Sequence, residues 1–267
     1  MVKPGILIIS HGSREPGWVS LVDNTVRRCR RWLSKFDVPL EAAFLELVEG
    51  RLIQDGIDRL EAQGVTDMLA IPLFISSGST HVDEIGWALG AYPQCRSETD
   101  LTPFRLDVRL TYGRPIDDDP EIAEILGERA ASLSSDPARE TLLFIGHGSD
   151  KPEFREAWRR GLNGLASVVR ERGGYADADF AMLRPDLAAE AASALRRRHP
   201  EAAVLAVPVF LSEGYFTRHV IPQRLAGLDC RYSGQALMPH PQVARWAARQ
   251  ASDWLHHVYG ISDIERK

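Results

Sequence analysis

The sequence predicts an α/β protein: two similar parallel-sheet domains with helices on both faces, residues 1–135 and 136–267, facing a central cleft. Two observations carry this expectation. Continuously apolar runs, too uniform for half-exposed strands, alternate with segments of helical periodicity, as in a parallel sheet covered by helices. The pattern also occurs twice: ILIISHGS at 6–13 returns as LLFIGHGS at 142–149, an interval of 136 residues.

Taken in order, Ile6 to Ser10 reads as a buried parallel strand that delivers His11 to a strand-to-helix turn. Gly12 permits the turn and Ser13 can cap the helix after it. Ligands of open α/β sheets gather at this carboxyl edge. Trp18, Leu21, Val22, Val26, Cys29, Trp32 and Leu33 recur at helical spacing, with Pro16 in the first turn. Ala43 to Val48 reads as the second strand, and Leu52, Ile53, Ile57 and Leu60 as a helix stopped by Gly64. Met68 to Ile75 is the third strand. It enters a polar turn of Ser76, Ser77, Gly78, Ser79 and Thr80 that ends at His81, with a helix expected from Val82 to Leu89. Leu106 to Leu110 is the fourth strand, and Ile122, Ile125 and Leu126 mark the next helix.

The second half repeats this order. At the same offset Pro16 lies on Pro152, Trp18 on Phe154, Phe44 on Phe180, Ile71–Phe74 on Val207–Phe210, Gly78 on Gly214 and Ile85 on Ile221, with no gap required. The first copy carries roughly 15 extra residues near Tyr92–Phe104, because Pro120 pairs with Pro241 at an offset of 121. The polar stretch Ser132–Glu140 is the expected linker.

Composition narrows the function. With 44% hydrophobic residues in 267, the chain has ample core. A net charge of −5 gives no electrostatic case for nucleic acid, and the basic cluster Arg27, Arg28, Arg30 and Arg31 reads as a solvated helix face. The three cysteines form no CxxC, which argues against a zinc knuckle, an iron–sulfur cluster or a disulfide framework. No stretch is apolar enough to span a membrane and no signal peptide is legible, so a cytoplasmic protein is expected.

Of the eight histidines, His199, His256 and His257 read as surface residues and His240 as a loop residue. His11 and His81 close the first and third strands, which are neighbours in the common doubly wound order. Two imidazoles there can share a divalent metal, or one can hold metal while the other takes a proton. Spacing fixes no third protein ligand, which suits a metal being passed on rather than a closed structural site. At the repeat offset His81 falls on Thr217 and His219 on Asp83, so the first copy is expected to carry the chemistry. His147 and His219 are then secondary candidates, as are Glu46 and Glu84; each of the nearby carboxylates Glu46, Asp83, Glu84 and Glu213 can help hold a divalent ion or relay protons, and each reads more readily as a solvated loop charge. Arg14, Lys151, Arg155 and Arg218 can pair with carboxylates of an anionic ligand. The small residues Ser76 to Thr80 suit an anionic group or a close-approaching flat ring.

HGSREP at 11–16, FLEL at 44–47, PLF…GSTHVDEI at 72–85, and in the second copy HGSDKPEFREAW and PVFLSEGYFTRHVIPQRL, resemble the class II chelatases that insert cobalt or iron into sirohydrochlorin, in their long, internally duplicated form. The resemblance covers nearly the whole chain. It implies two flavodoxin-like or Rossmann-like parallel-sheet α/β lobes around a cleft and a lyase of siroheme or cobalamin biosynthesis. It also implies a metal-binding and catalytic histidine pair at His11 and His81, and an anionic tetrapyrrole beside Arg14 and Ser76–Thr80. The implied chemistry uses no ATP and no permanent cofactor; Co2+ or Fe2+ is itself a substrate, and ligand type does not choose between them or nickel. The duplication lets one chain supply both lobes, so a monomer is expected. Thr217 in place of the turn histidine departs from the pattern. The alternatives are a tetrapyrrole or metal carrier without turnover, and a phosphoryl-transfer enzyme using His11, which ranks low because Ser10 rather than an arginine precedes it.

Overall fold

A computed structural model describes residues 2–14 and 16–259. It contains two four-stranded, all-parallel sheets with flanking helices, one sheet in each compact unit.

In the first unit the strands are β1 (Pro4–Ser10), β2 (Leu40–Phe44), β3 (Asp67–Pro72) and β4 (Arg109–Tyr112), arranged β2-β1-β3-β4. The helices between them are α1 (Pro16–Trp32), α2 (Ile53–Ala62) and α3 (Thr80–Ala88). Strands β1 and β3 pair directly, Ile9 opposite Pro72, so the turns leaving both open side by side at one sheet edge. The core packs Leu7, Ile9, Ala43, Ile57, Met68, Ala70, Phe74, Val82 and Ile85 together, all fully or nearly fully buried.

Several strand boundaries differ from the sequence reading, and β3 ends at Pro72 rather than Ile75. The apolar run 43–48 continues beyond β2 because Leu45 still packs against the core while its N–H bonds Ser10 O (2.8 Å) and that of Glu46 bonds His11 O (3.1 Å). Leu47 then turns the chain away at φ +67. Leu106 and Val108 likewise pack on the core before any strand pairing begins, so β4 starts at Arg109 rather than Leu106.

The second unit has β5 (Glu140–Gly148), β6 (Asp177–Arg184), β7 (Ala203–Pro208) and β8 (Cys230–Tyr232), arranged β6-β5-β7-β8. Helix α4 (Pro120–Ala131) begins at the Asp119 cap, whose carboxylate accepts the Glu121 N–H at 3.2 Å. Helix α5 (Pro152–Gly173) ends at Gly174, φ +70, in a left-handed cap. Helices α6 (Ala188–Arg198) and α7 (Ile221–Leu225) follow, with a π-helical turn over Phe216–Val220 leading into α7. Helix α8 (Pro241–Tyr259) closes the described chain.

By contacts, residues 116–242 with 75–79 form the second unit, whereas residues 243–259 group with the first. Within that first unit α8 is tied on by Gln250, which accepts the Arg114 N–H at 3.0 Å, and by the Trp254 indole, which donates to Thr111 at 3.0 Å.

The strand registers correct the ungapped repeat. Ile8 faces Ala42 in the first sheet, while its counterpart Phe144 faces Phe180 in the second. The structural offset at β6 is therefore 138, not 136, and Phe44 does not correspond to Phe180. Backbone pairing decides the register, and the segment between β5 and β6 is longer by two residues. Between β1 and β3 the offset of 136 holds, since Ile9 faces Pro72 and Ile145 faces Pro208.

Candidate functional site

In the first unit the site is built at the ends of β1 and β3. Gly12 adopts φ +102, and a Cβ there would fall 1.9 Å from the Glu46 carbonyl oxygen. Only glycine lets the chain after β1 pass so close to the chain after β2. That approach holds Glu46 beside His11, with the His11 Nδ1 3.6 Å from Glu46 Oε1, an electrostatic contact rather than a hydrogen bond. His11 Nδ1 donates instead to the Gly12 carbonyl at 3.1 Å.

His81 enters from the first turn of α3. Its ring centroid lies 4.7 Å from that of His11, edge to face at 79°. Phe74, at the end of the β3 run, backs it at 6.2 Å. His81 Nδ1 bonds Glu84 Oε1 at 2.6 Å, one turn along the helix. Both Nδ1 partners are acceptors, a carbonyl for His11 and a carboxylate for His81. The proton of each neutral ring therefore sits on Nδ1 and the lone pair on Nε2, the arrangement of a metal-presenting imidazole. Burial works against the Glu84 carboxylate, but hydrogen bonds from His81 and Thr99, reinforced when the His81 and His11 rings are protonated, hold it below its ordinary range. Among the described residues no group of three His, Cys, Asp or Glu side chains gathers at one metal position.

The other predicted residues divide. His11, His81, Glu46 and Glu84 come together in the first unit. Arg14 is exposed three residues beyond His11. Ser76 to Ser79 group with the second unit, and much of their polarity is already used. Ser77 donates its N–H and hydroxyl to Asp117 at 2.8 and 3.1 Å, Gly78 N–H bonds Ser76 Oγ at 3.0 Å, and Ser79 N–H bonds Ser76 O at 3.0 Å. Burial raises the Asp117 carboxyl above its ordinary value against these hydrogen bonds. Gly78 is required there, because a Cβ would meet the Phe154 carbonyl at 2.2 Å.

The second unit repeats the frame with different chemistry. His147 Nδ1 lies 3.1 Å from Gly148 O, as His11 does with Gly12. Where His81 stands against His11, Phe216 stands against His147, centroids 5.1 Å apart at 85°, and is backed by Phe210 at 5.9 Å. The structural counterpart of His81 is thus Phe216, not Thr217. The turn before it is one residue shorter than the turn before His81. The π-helical turn 216–220 adds that residue back, which returns Ile221 and Leu225 to the core. Thr217 instead closes the turn through hydrogen bonds with Gly214. The approach made by Gly12 to Glu46 is made by Gly148 to Arg184 (2.4 Å), so Arg184 replaces Glu46. His219 is exposed, its ring 5.8 Å from Tyr215. The sequence signal for Phe216 was one register away and masked by two compensating changes.

The CbiX family model matches residues 5–133 and again 141–253. The chain belongs to the CbiX family. The sirohydrochlorin ferrochelatase of Priestia megaterium is 29% identical over 177 residues, covering 64% of this chain and 58% of the relative, so this CbiX chain spans little more than half of that protein's length. The sirohydrochlorin cobaltochelatase of Methanopyrus kandleri is 26% identical over 135 residues, 46% of this chain and 92% of its own. A half-length relative matched along almost its whole length is what a duplicated CbiX unit predicts. Among solved structures, SirB from Bacillus subtilis with Fe3+ superposes with a TM-score of 0.75 at 22% identity, covering 99% of this chain and all of that one, and shows the same fold.

Proposed function

We propose that this CbiX chain is a metal chelatase, a lyase that inserts Co2+ or Fe2+ into sirohydrochlorin without ATP, in siroheme or cobalamin biosynthesis. The observation that carries the reading is the His11–His81 pair, 4.7 Å apart and crossed at 79°, with Nδ1 of each ring engaged and Nε2 left to present a metal. The ferrochelatase and cobaltochelatase names of the relatives give the substrate class.

Two protein donors leave coordination positions for water and for incoming pyrrole nitrogens, so the ion can be handed on. Insertion exchanges one M2+ for two pyrrole protons. Holding metal and ring together supplies proximity. The Nε2 lone pairs freed as the metal leaves the two imidazoles can accept the two pyrrole protons, and Glu46, 3.6 Å from His11 Nδ1 and half exposed, can stabilise the imidazolium that forms. We assign metal delivery to His11 and His81, and carboxylate recognition to Arg14 and the Ser76–Thr80 turn. The three cysteines are unpaired, which supports a reducing, cytoplasmic compartment, and the duplication supports a monomer.

The test is anaerobic mixing of protein with sirohydrochlorin and either Co2+ or Fe2+, followed by visible absorbance. A metallated spectrum appearing faster than in the protein-free blank supports the chelatase. A spectral shift on binding with insertion no faster than the blank supports a carrier and overturns it.

A further inference from the structure

The excursion between α3 and β4 has no counterpart in the second copy, and it is fastened to the helix that bears His81. Tyr92 donates its hydroxyl to the carbonyls of Val82 (3.1 Å) and Asp83 (2.9 Å). The Asp83 side chain, 1% exposed, accepts the Arg96 N–H at 2.7 Å, the Arg96 Nε–H at 2.6 Å and the Cys95 thiol at 3.4 Å. Phe104 N–H bonds Ala88 O at 2.8 Å, at the far end of α3.

Between these anchors one relay reaches the site. Leu101 N–H donates to Thr99 Oγ1 at 3.1 Å, Thr99 donates to Glu84 Oε2 at 2.6 Å, and Glu84 Oε1 accepts from His81 Nδ1 at 2.6 Å. Because the backbone N–H occupies a lone pair of the Thr99 hydroxyl, its single proton is directed at the carboxylate. The carboxylate, held on one oxygen, can only accept on the other.

We propose that residues 91–104 form a positioning clamp for His81, in which Thr99 and Glu84 act as positioning residues that fix the ring's tautomer and aim its Nε2 at the metal. This rests on the reading that His81 presents the metal. The two copies supply an independent comparison: the copy without the excursion carries Phe216 at the His81 place, a ring with no tautomer to set. Outer partners of metal-bound histidines characteristically orient the ring in this way.

The experiment uses the full chain labelled with 15N-histidine, metal-free and above the imidazole titration range, beside Co2+ insertion kinetics. The wild-type His81 signal is expected at the Nδ1–H tautomer. Thr99→Val is expected to mix the tautomers and lower kcat severalfold without a matching rise in the metal KM, while Thr99→Ser restores both. Glu84→Gln is expected to lower kcat about 10- to 100-fold. A Thr99→Val protein that melts like wild type and keeps both the wild-type tautomer and kcat overturns the clamp, as does Thr99→Ser failing to recover either. The tautomer is read without substrate. Inactive wild-type protein whose His81 tautomer still responds to Thr99→Val overturns the chelatase reading and leaves the clamp standing.

Discussion

Gly12 joins the fold to the site, and Gly12→Ala tests that joint. The residue sits at φ +102, where an L side chain costs about 1–2 kcal/mol. Its Cβ would lie 1.9 Å from the Glu46 oxygen, so the two segments must part by more than 1 Å to reach ordinary contact. Two backbone bonds cross that seam, Leu45 N to Ser10 O and Glu46 N to His11 O, each contributing about 1 kcal/mol net. Losing both with the strain gives about 3–4 kcal/mol, a large share of a typical domain's stability. Gly50→Ala is the control: φ is +73, but nothing lies within 4 Å of the added carbon. It should cost only the strain, about 1–2 kcal/mol. Urea unfolding followed by circular dichroism should therefore place the Gly12→Ala midpoint clearly below that of Gly50→Ala. Equal midpoints would refute the close-approach argument.

Further outcomes follow from the two copies and from burial. Phe216→His should create a second imidazole pair with His147, raising Co2+ bound per chain from one equivalent toward two in equilibrium dialysis; unchanged stoichiometry would contradict the structural pairing of Phe216 with His81. His147→Ala, on the copy that lacks both the second histidine and the Glu46 carboxylate, should keep metal insertion within about threefold of wild type, well under the loss expected at a metal-ligand shell. Burial pushes the Cys29 thiol up to about 12, opposed by Arg30. Keeping it neutral contributes stability that is complete below the ordinary value of 9.0 and is lost as pH rises toward 12. Cys29→Ala should flatten the fall in urea midpoint above pH 9, and in wild type at neutral pH a thiol reagent should label Cys95 and Cys230 before Cys29.

The strands and the first-copy histidines were legible because their signals are local: an uninterrupted apolar run, a glycine, and a histidine in the turn or helix start that follows each of two adjacent strands. Strand β2 was misplaced because Leu45 still packs on the core, and still bonds Ser10 O, beyond the last strand residue Phe44. Two features lay beyond local pattern. The exchange of His81 for Phe216 is hidden by a shortened turn and a π-helical turn that cancel in the residue count, so an ungapped alignment lands on Thr217. The link from Thr99 to Glu84 spans 15 positions, the end of α3 and then irregular chain, and no periodicity announces it.

The central claim is that the first copy's histidine pair delivers the metal. The most direct measurement is Co2+ insertion into sirohydrochlorin by wild type, His11→Ala, His81→Ala and His147→Ala, each checked for an unchanged melting curve. The account predicts that both first-copy variants fall to the protein-free rate while His147→Ala stays near wild type. Full activity in His11→Ala and His81→Ala, with loss in His147→Ala, would contradict it.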